Sequence, residues 1–179
     1  NPTNLIVIPL QNSNLCKQLC VCQFNAKSVG TARKRSAITD FMRDHDVDIM
    51  FLTESWLRES GDEAKCADLT PPGYKFFSFP RQVGPTAKCG GGIAAIVKDC
   101  LATHSSITSS FTFTHTSFQA VDLSLALNKQ RLHLLCVYRP PPSKKNKLTD
   151  GIFFDEFPDF LDYCNALDGS LLLTGDFNV

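Results

Sequence analysis

The sequence has no excess charge of either sign. Eighteen Lys and Arg residues balance eighteen Asp and Glu residues. This excludes the bulk positive charge that attracts nucleic acid, so any such binding must depend on local patches. Long hydrophobic runs are also missing. The apolar segment LIVIPL at 5–10 is broken by Pro9 and is too short for a signal peptide or a membrane span, so we expect no membrane partner.

Zinc-type cysteine spacing is lacking too, although the chain has eight cysteines. The spacing of Cys16, Cys20 and Cys22 is not that of a zinc site, and no nearby pair of His or Cys completes one. Cys20, Cys22, Cys100 and Cys136 lie in or beside apolar runs, where free cysteine behaves as a small hydrophobic residue. We therefore predict reduced thiols and an intracellular protein.

What is present is an ordinary globular composition, with 43% hydrophobic and 20% charged residues and no internal repeat. A chain of 179 residues is long enough for one domain with a sizeable core. The chain begins at Asn1 rather than Met, which predicts a fragment or a processed product.

The first half of the chain reads as a βαβ unit after an irregular N-terminal lead-in at 1–18. Apolar and β-favouring residues predict strands over 18–25 and 47–55, and helical spacing of apolar residues predicts a helix over 32–45. We expect the two strands to be parallel or to share one sheet.

The second half reads as a series of strands followed by a helix and a last strand. Strands are predicted within 71–81 and 90–98, a loop or edge strand over 105–116, and a hairpin from 118–127 and 130–140. After a loop at 140–151, a helix is expected to begin near Glu156 or Phe157, because Pro158 belongs in a first turn. The final strand is SLLLTGDF. The pattern is that of an α/β fold.

Polar residues recur where predicted strands end. They are Asn25, Glu54, the pair Tyr138 and Arg139, Asp176, and Asn178. Each alone is typical of a turn or of a solvated carboxylate. Their recurrence at strand ends favours a site, because open α/β sheets bind ligands beyond the carboxyl ends of their strands.

These residue types suit one kind of chemistry. Glu54 can hold Mg²⁺, which takes one or two protein carboxylates with water and phosphate oxygens. Asp176 can orient or deprotonate a water. Asn25 and Asn178 can hold carboxylates or phosphate oxygens, and Tyr138 can donate to a phosphate oxygen. No Ser–His or Cys–His nucleophilic pair stands out.

Five segments, taken in order, resemble one family. FNAKSV, DIMFLTESWL, GGGIAAIVK, VYRPP and LLLTGDFNV are similar to segments of the endonuclease/exonuclease/phosphatase superfamily. This superfamily includes apurinic-site endonucleases, pancreatic deoxyribonuclease, inositol-polyphosphate 5-phosphatases and neutral sphingomyelinases. The resemblance is closest to the apurinic-like endonuclease domain of LINE-type non-LTR retrotransposons. It covers residues 19–179.

The resemblance implies a four-layer α/β sandwich of two mixed sheets with outer helices, like that of deoxyribonuclease. It also implies Mg²⁺-dependent hydrolysis of phosphodiesters, with Mn²⁺ as an alternative cation. In retrotransposons the enzyme nicks target DNA in the nucleus, and the exposed 3′ hydroxyl primes a reverse transcriptase that we expect downstream in the parent polypeptide. The DNA phosphodiester backbone is then the expected partner.

The family's roles carry over by position. Asn25 takes the amide position, Glu54 is the metal ligand, Tyr138 and Asn178 contact phosphate, and Asp176 aligns the water. Arg139 and Lys88 are weaker candidates for substrate contacts. Further basic candidates for contacts with DNA phosphates are Lys27, Arg33, Lys34, Arg35, Lys144, Lys145 and Lys147.

The chain departs from the family in three places. Lys27 and Lys88 stand where relatives have arginine, and a later serine–aspartate–histidine segment has no counterpart here. We therefore expect a domain that is incomplete at its C-terminus and poorly active by itself. Two alternatives stay open: a phosphatase or phospholipase of the same fold, and a non-catalytic remnant of a decayed retroelement.

Overall fold

Two β-sheets and four helices form the domain in the computed structural model, which describes residues 4–10, 18–81, 90–113, 115–127, 130–143 and 146–178. The strands are β1 Asn4–Pro9, β2 Gln18–Asn25, β3 Ile49–Thr53, β4 Tyr74–Phe79, β5 Ile93–Lys98, β6 Ser105–Thr108, β7 Gln119–Leu127, β8 Gln130–Tyr138 and β9 Ser170–Asp176. The helices are α1 Ala32–Asp44, α2 Glu63–Asp68, α3 Asp99–Ala102 and α4 Asp150–Ala166.

Each sheet is mixed. The first has the strand order β1-β2-β3-β5-β4 and the second β6-β7-β8-β9. The strands β2 and β3 are parallel, as the βαβ reading predicts, and so are β8 and β9. These two parallel pairs bring four strand ends to the same end of the sandwich.

The sheets pack face to face through alternating residues. Leu19 and Val21 of β2 point into the core between the sheets, and so do Leu134 and Cys136 of β8. Residues in between point outward, where α1 covers the first sheet and α4 covers the second. This gives four layers, helix–sheet–sheet–helix, and confirms the predicted α/β sandwich.

The N-terminal segment corrects one prediction. The sequence predicts an irregular lead-in at 1–18, but Asn4–Pro9 forms a strand that pairs antiparallel with β2. Its residues alternate in exposure, as a half-buried edge strand does. Pro9 is tolerated because it lies at the end of an edge strand.

The start of α4 corrects a second prediction. The helix begins at Asp150, not near Glu156, and Pro158 lies inside it. The Thr149 side chain accepts a hydrogen bond from the Ile152 amide at 3.2 Å and so caps the helix nearly two turns earlier. Pro158 is exposed, and the carbonyl it leaves unbonded belongs to Phe154, whose side chain is also exposed, so water can satisfy it.

All six cysteines that the structure describes are free, which agrees with the prediction of reduced thiols. Cys16 and Cys89 lie outside the described residues, and so do residues 128–129, which the sequence predicts to connect the hairpin. None of the described helices is long and apolar enough to span a membrane.

Candidate active site

The site is built where β2 and β3 of one sheet face β8 and β9 of the other. Asn25 is the last residue of β2, Glu54 directly follows β3, Tyr138 ends β8 and Asp176 ends β9. The packing of the two sheets therefore brings together four side chains that the sequence places at separate strand ends.

Asn25 connects the two carboxylates. Its amide nitrogen donates one hydrogen bond to Glu54 Oε1 at 3.0 Å and another to Asp176 Oδ2. Its amide oxygen accepts from the Lys27 backbone amide at 2.9 Å. The opposite orientation of the amide would face oxygen against two carboxylates, so this one is fixed by its partners. The side chain is fully used in positioning Glu54 and Asp176.

Glu54 is held by backbone bonds from both sides. The amide of Ser28, in the loop after β2, donates to the Glu54 carbonyl at 2.8 Å, and the Trp56 amide donates to the Gly91 carbonyl at 2.9 Å. Glu54 and Trp56 both have positive φ, at 51° and 55°. Such conformations cost free energy for residues other than glycine and persist where the surroundings fix them.

Asp176 depends on the glycine before it. Gly175 has φ 152°, and a Cβ at this position would collide with the backbone of Val137 on β8. The Arg139 amide donates to the Asp176 carbonyl at 2.9 Å, which continues the pairing of β8 with β9. Only glycine allows β9 to approach β8 closely enough to place Asp176 here.

Tyr138 is buried and lies against the two carboxylates. Burial raises the pKa of its hydroxyl, and the charges of Glu54 and Asp176 raise it further, while Arg81 opposes them. The tyrosine therefore stays protonated at neutral pH and keeps a proton to donate. Arg81 was not singled out by the sequence, because only its contacts in the fold bring it near Tyr138.

Asn178 and Arg139 support each other beside the site. The Asn178 amide nitrogen donates to the Arg139 carbonyl at 2.7 Å, and the Arg139 guanidinium donates to the Asn178 carbonyl at 3.4 Å. Asn178 has φ 46° and is exposed. One of its two amide protons is used in this contact, and the other remains for a ligand.

Arg139 does not face the site as a free cation. Its side chain is only 2% exposed, it pairs with Asp150 at the start of α4, and it lies 4.4 Å over the ring of Phe153. A buried, paired guanidinium cannot turn to a substrate without losing both contacts. The structure thus gives this residue a positioning role rather than the predicted substrate contact.

The other basic candidates fall into different classes. Lys27 is exposed and lines the site, whereas Lys34 donates to the Ala26 carbonyl at 2.8 Å and Arg35 pairs with Asp68 at 2.9 Å. Lys34 and Arg35 therefore brace the loop after β2. Lys88, Lys144 and Lys145 lie outside the described residues.

A cavity of about 220 Å³ opens at Asn25, Asp176 and Asn178. Its lining consists of Asn4, Gln23, Asn25, Lys27, Gly175, Asp176 and Asn178. Apart from the glycine these are polar or charged residues, which suits a hydrated phosphate and not an acyl chain.

The donor set fits a hard cation of the Mg²⁺ type. Two carboxylates converge on one amide nitrogen, with no basic side chain bonded to either of them in the part of the chain that the structure describes. The described residues contain no group of three or more His, Cys, Asp or Glu side chains that could hold a metal ion by themselves. Mg²⁺ needs only one or two protein carboxylates and completes its shell with water and phosphate oxygens.

A sandwich of two mixed sheets that gathers carboxylates, amides and a tyrosine at its strand ends has the architecture of a phosphate-ester hydrolase. The chain belongs to the Endonuclease/Exonuclease/phosphatase family, whose model matches residues 13–179. No protein with a curated description matches the sequence significantly.

Solved structures share the fold at low sequence identity. The AP endonuclease LMAP from Leishmania major has a TM-score of 0.65 and 19% identity, over 89% of this chain and 55% of that one. The human Nocturnin catalytic domain with bound sulfate has a TM-score of 0.61 and 13% identity, over 98% and 68%. TDP2 from D. rerio, complexed with a single-strand DNA product, has a TM-score of 0.59 and 16% identity, over 90% and 61%. This chain thus spans a little over half to two thirds of their lengths.

Proposed function

We propose that this domain hydrolyses phosphodiester bonds of DNA with the help of Mg²⁺, as the nicking endonuclease of a non-LTR retrotransposon. The observation that carries the proposal is the convergence of Glu54 and Asp176 on the Asn25 amide. Two carboxylates held side by side suit one cation and one water, which are the two components that hydrolysis of a phosphodiester needs.

The roles of the side chains follow from their contacts. Glu54 and Asp176 would hold the cation, which would polarise the phosphoryl oxygen when bound. Asp176 is free to accept a proton from an attacking water, because Asn25 holds its carboxylate in place. Tyr138 keeps its proton and can donate to a phosphoryl oxygen as negative charge develops there.

The polar lining of the cavity favours a nuclease over a phospholipase. An enzyme that acts on a lipid head group needs an apolar surface beside the site for the acyl chains, whereas a nucleic acid presents a hydrated backbone. The retrotransposon context, the nuclear location and a reverse transcriptase partner are supported by the spelling of LTESWL, YRPP and GDFN.

The test is the nicking of supercoiled plasmid by the 179-residue chain in Mg²⁺ and in EDTA. In line with the expected poor activity, we expect slow nicking that needs the cation and that falls by at least a hundredfold in Asp176→Asn, with an unchanged far-UV circular dichroism spectrum. Asp155→Asn, an exposed position on α4, is the matched control. Cleavage of p-nitrophenyl phosphate without any plasmid nicking would favour the phosphatase reading, and no cleavage of either substrate would favour a non-catalytic remnant.

A further inference from the structure

A second cavity, of about 520 Å³, lies beside the candidate site. It opens between β4 of the first sheet and β7 of the second. Its walls include Phe79, Pro80, Arg81, His115, Thr116 and Gln119. It therefore combines one cation, amide and hydroxyl groups, and aromatic rings. Of these residues, only Arg81 has been described above, where its charge acts on Tyr138.

Gly91 joins this cavity to the site. A Cβ on Gly91 would lie 2.9 Å from Arg81 Cδ, 3.1 Å from Gln119 Oε1 and 3.2 Å from Tyr138 Cε1. Arg81 and Gln119 line the second cavity, while Tyr138 belongs to the site. The cavity thus begins where the site ends, at a position where φ is 76° and any side chain would fill the junction.

The cation of this cavity has no partner in the described part of the chain. Arg81 lies two residues after the end of β4 and is half-buried, and the structure gives it no hydrogen bond or ion pair with a described residue. Gln119 Oε1 accepts from the Gly92 amide at 2.8 Å, which fixes the side chain and leaves its amide protons to donate. A half-buried guanidinium beside a free amide donor is a site prepared for an anion.

Aromatic rings form part of the cavity wall. The ring of His115 stacks on Phe118 with centroids 4.9 Å apart, and Phe79 ends the strand that leads to Arg81. Glu156 of α4 holds this wall in place by accepting from the amides of Thr116 and Ser117, both at 2.9 Å. Aromatic surfaces next to a cationic group are how proteins hold single-stranded nucleotides.

We propose that this cavity is a subsite for the nucleotide next to the scissile phosphodiester, with Arg81 bound to that nucleotide's own phosphate. The inference rests on the proposed phosphodiesterase function and adds where the neighbouring nucleotide of the strand binds. A phosphomonoester or an isolated diester leaves Arg81 unpaired. A chain of nucleotides fills both the site and the second cavity.

The binding test needs no catalysis. Fluorescence anisotropy in EDTA measures the Kd for a labelled single-stranded deoxyoligonucleotide. Arg81→Gln should raise this Kd roughly tenfold, because a charged hydrogen bond is lost. Ser109→Asp, at an exposed position of the same cavity, should raise it as well through repulsion. Arg43→Gln removes the same charge from an exposed pair with Asp40 on α1 and should bind like the parent.

Kinetics with bis(p-nitrophenyl) phosphate, a diester without a flanking phosphate, separates this subsite from the site itself. Arg81→Gln should raise KM for the oligonucleotide more than it changes cleavage of the small diester, which Arg81 reaches only through its charge beside Tyr138. An equal loss on both substrates would place Arg81 at the scissile phosphate and overturn the subsite. Parent-like oligonucleotide binding by Arg81→Gln, or no oligonucleotide binding by the parent, would overturn it too.

The aromatic wall has its own test. An oligonucleotide of the same length with abasic sugars throughout should bind the parent at least fivefold more weakly, because base stacking is lost. Equal binding would overturn the assignment of the cavity to a nucleotide. If the binding results hold but no diester is cleaved with Mg²⁺, the proposed function fails while the nucleotide subsite stands.

Discussion

Asn25 and Asp176 are 151 residues apart in the chain and joined by a hydrogen bond between the two sheets. The same amide nitrogen bonds Glu54 at 3.0 Å. Both N–H groups of the Asn25 amide therefore donate to carboxylates and hold two negative charges close together. Asn25 is the residue on which the geometry of both carboxylates depends.

Asn25→Asp keeps the size of the side chain but should destabilise the protein. Three carboxylates would meet, with no donor between them, and the free energy of unfolding at pH 7.5 should fall by about 1–3 kcal/mol. Protonation of one carboxylate relieves the repulsion, so the deficit should shrink at pH 4.5, and millimolar Mg²⁺ should reduce it at pH 7.5. Urea denaturation under these three conditions measures the effect.

The control for this change is Asn165→Asp, at an exposed position of α4. It should shift the stability little under all three conditions. A deficit in Asn25→Asp that ignores both pH and Mg²⁺ would show that lost packing, and not charge, is the cause.

Trp56 should report cation binding at Glu54. It is the sole tryptophan of the chain, it lies two residues after Glu54, and it is 42% exposed. Mn²⁺ is paramagnetic and should quench its fluorescence on binding. Glu54→Gln preserves the shape of the side chain but removes the charge, so the midpoint of the Mn²⁺ titration should rise at least tenfold.

The matched change is Glu59→Gln, an exposed glutamate five residues further on, which should titrate like the parent. If Glu54→Gln and the parent share one midpoint, Glu54 is not a cation ligand.

The three tyrosines should make the fold sensitive to alkali. Burial raises the pKa of Tyr74, of Tyr138 and of Tyr163, and the hydrogen bond to Asp122 raises that of Tyr163 further. A pKa raised in the folded state stabilises the protein fully below the ordinary tyrosine pKa of about 10. This stability is lost as the pH rises above that value, because the unfolded chain releases the protons first.

Absorbance at 295 nm and far-UV circular dichroism, followed together from pH 8 to 12.5, check this expectation. Tyrosinate should appear only together with unfolding. A tyrosine that ionises near pH 10 in a protein with a native spectrum would contradict the burial of that side chain.

The cysteines should differ in reactivity while all remaining reduced. Burial raises the pKa of Cys20, Cys22, Cys66, Cys136 and Cys164, to about 12 for Cys22 and about 11 for Cys164. Cys100 is exposed. Ellman's reagent at pH 8 should therefore modify Cys100 first among these six, because thiolate is the reacting form.

Peptide mapping after brief labelling identifies the site of reaction, and Cys100→Ser should remove the fast phase assigned to it. In denaturant without reductant, all eight thiols should react. A total of two or fewer would show disulfides and overturn the prediction of reduced cysteines.

The sequence predicted the parts of the site that lie at strand ends. Asn25, Glu54, Tyr138 and Asp176 follow apolar runs whose length and composition show where a buried strand stops, and the structure places all four together. The helix between β2 and β3 predicted that they are parallel or share one sheet, and they are parallel neighbours in one sheet. These signals come from residues that are neighbours in the sequence, so a single sequence is enough to predict them.

The remaining parts depend on contacts between distant residues. Nothing near Arg139 shows that Asp150 and Phe153 will take up its charge, so it was predicted as a substrate contact. Arg81 reaches Tyr138 only through the packing of β4, Gly91 and β8. The start of α4 was predicted wrongly because proline is most common in the first turn of a helix. In this helix the Thr149 cap sets the start, and Pro158 lies inside.

The site draws Asn25 and Glu54 from one sheet and Tyr138 and Asp176 from the other. The distances between these side chains therefore depend on how the two sheets are aligned. A substitution in the core between the sheets, such as Val121→Leu, can slide one sheet against the other by a fraction of an ångström and leave the protein folded. Catalysis tolerates less displacement than folding does. Variants selected only for solubility would therefore accumulate core substitutions that abolish activity. A screen for activity would reject most of these variants.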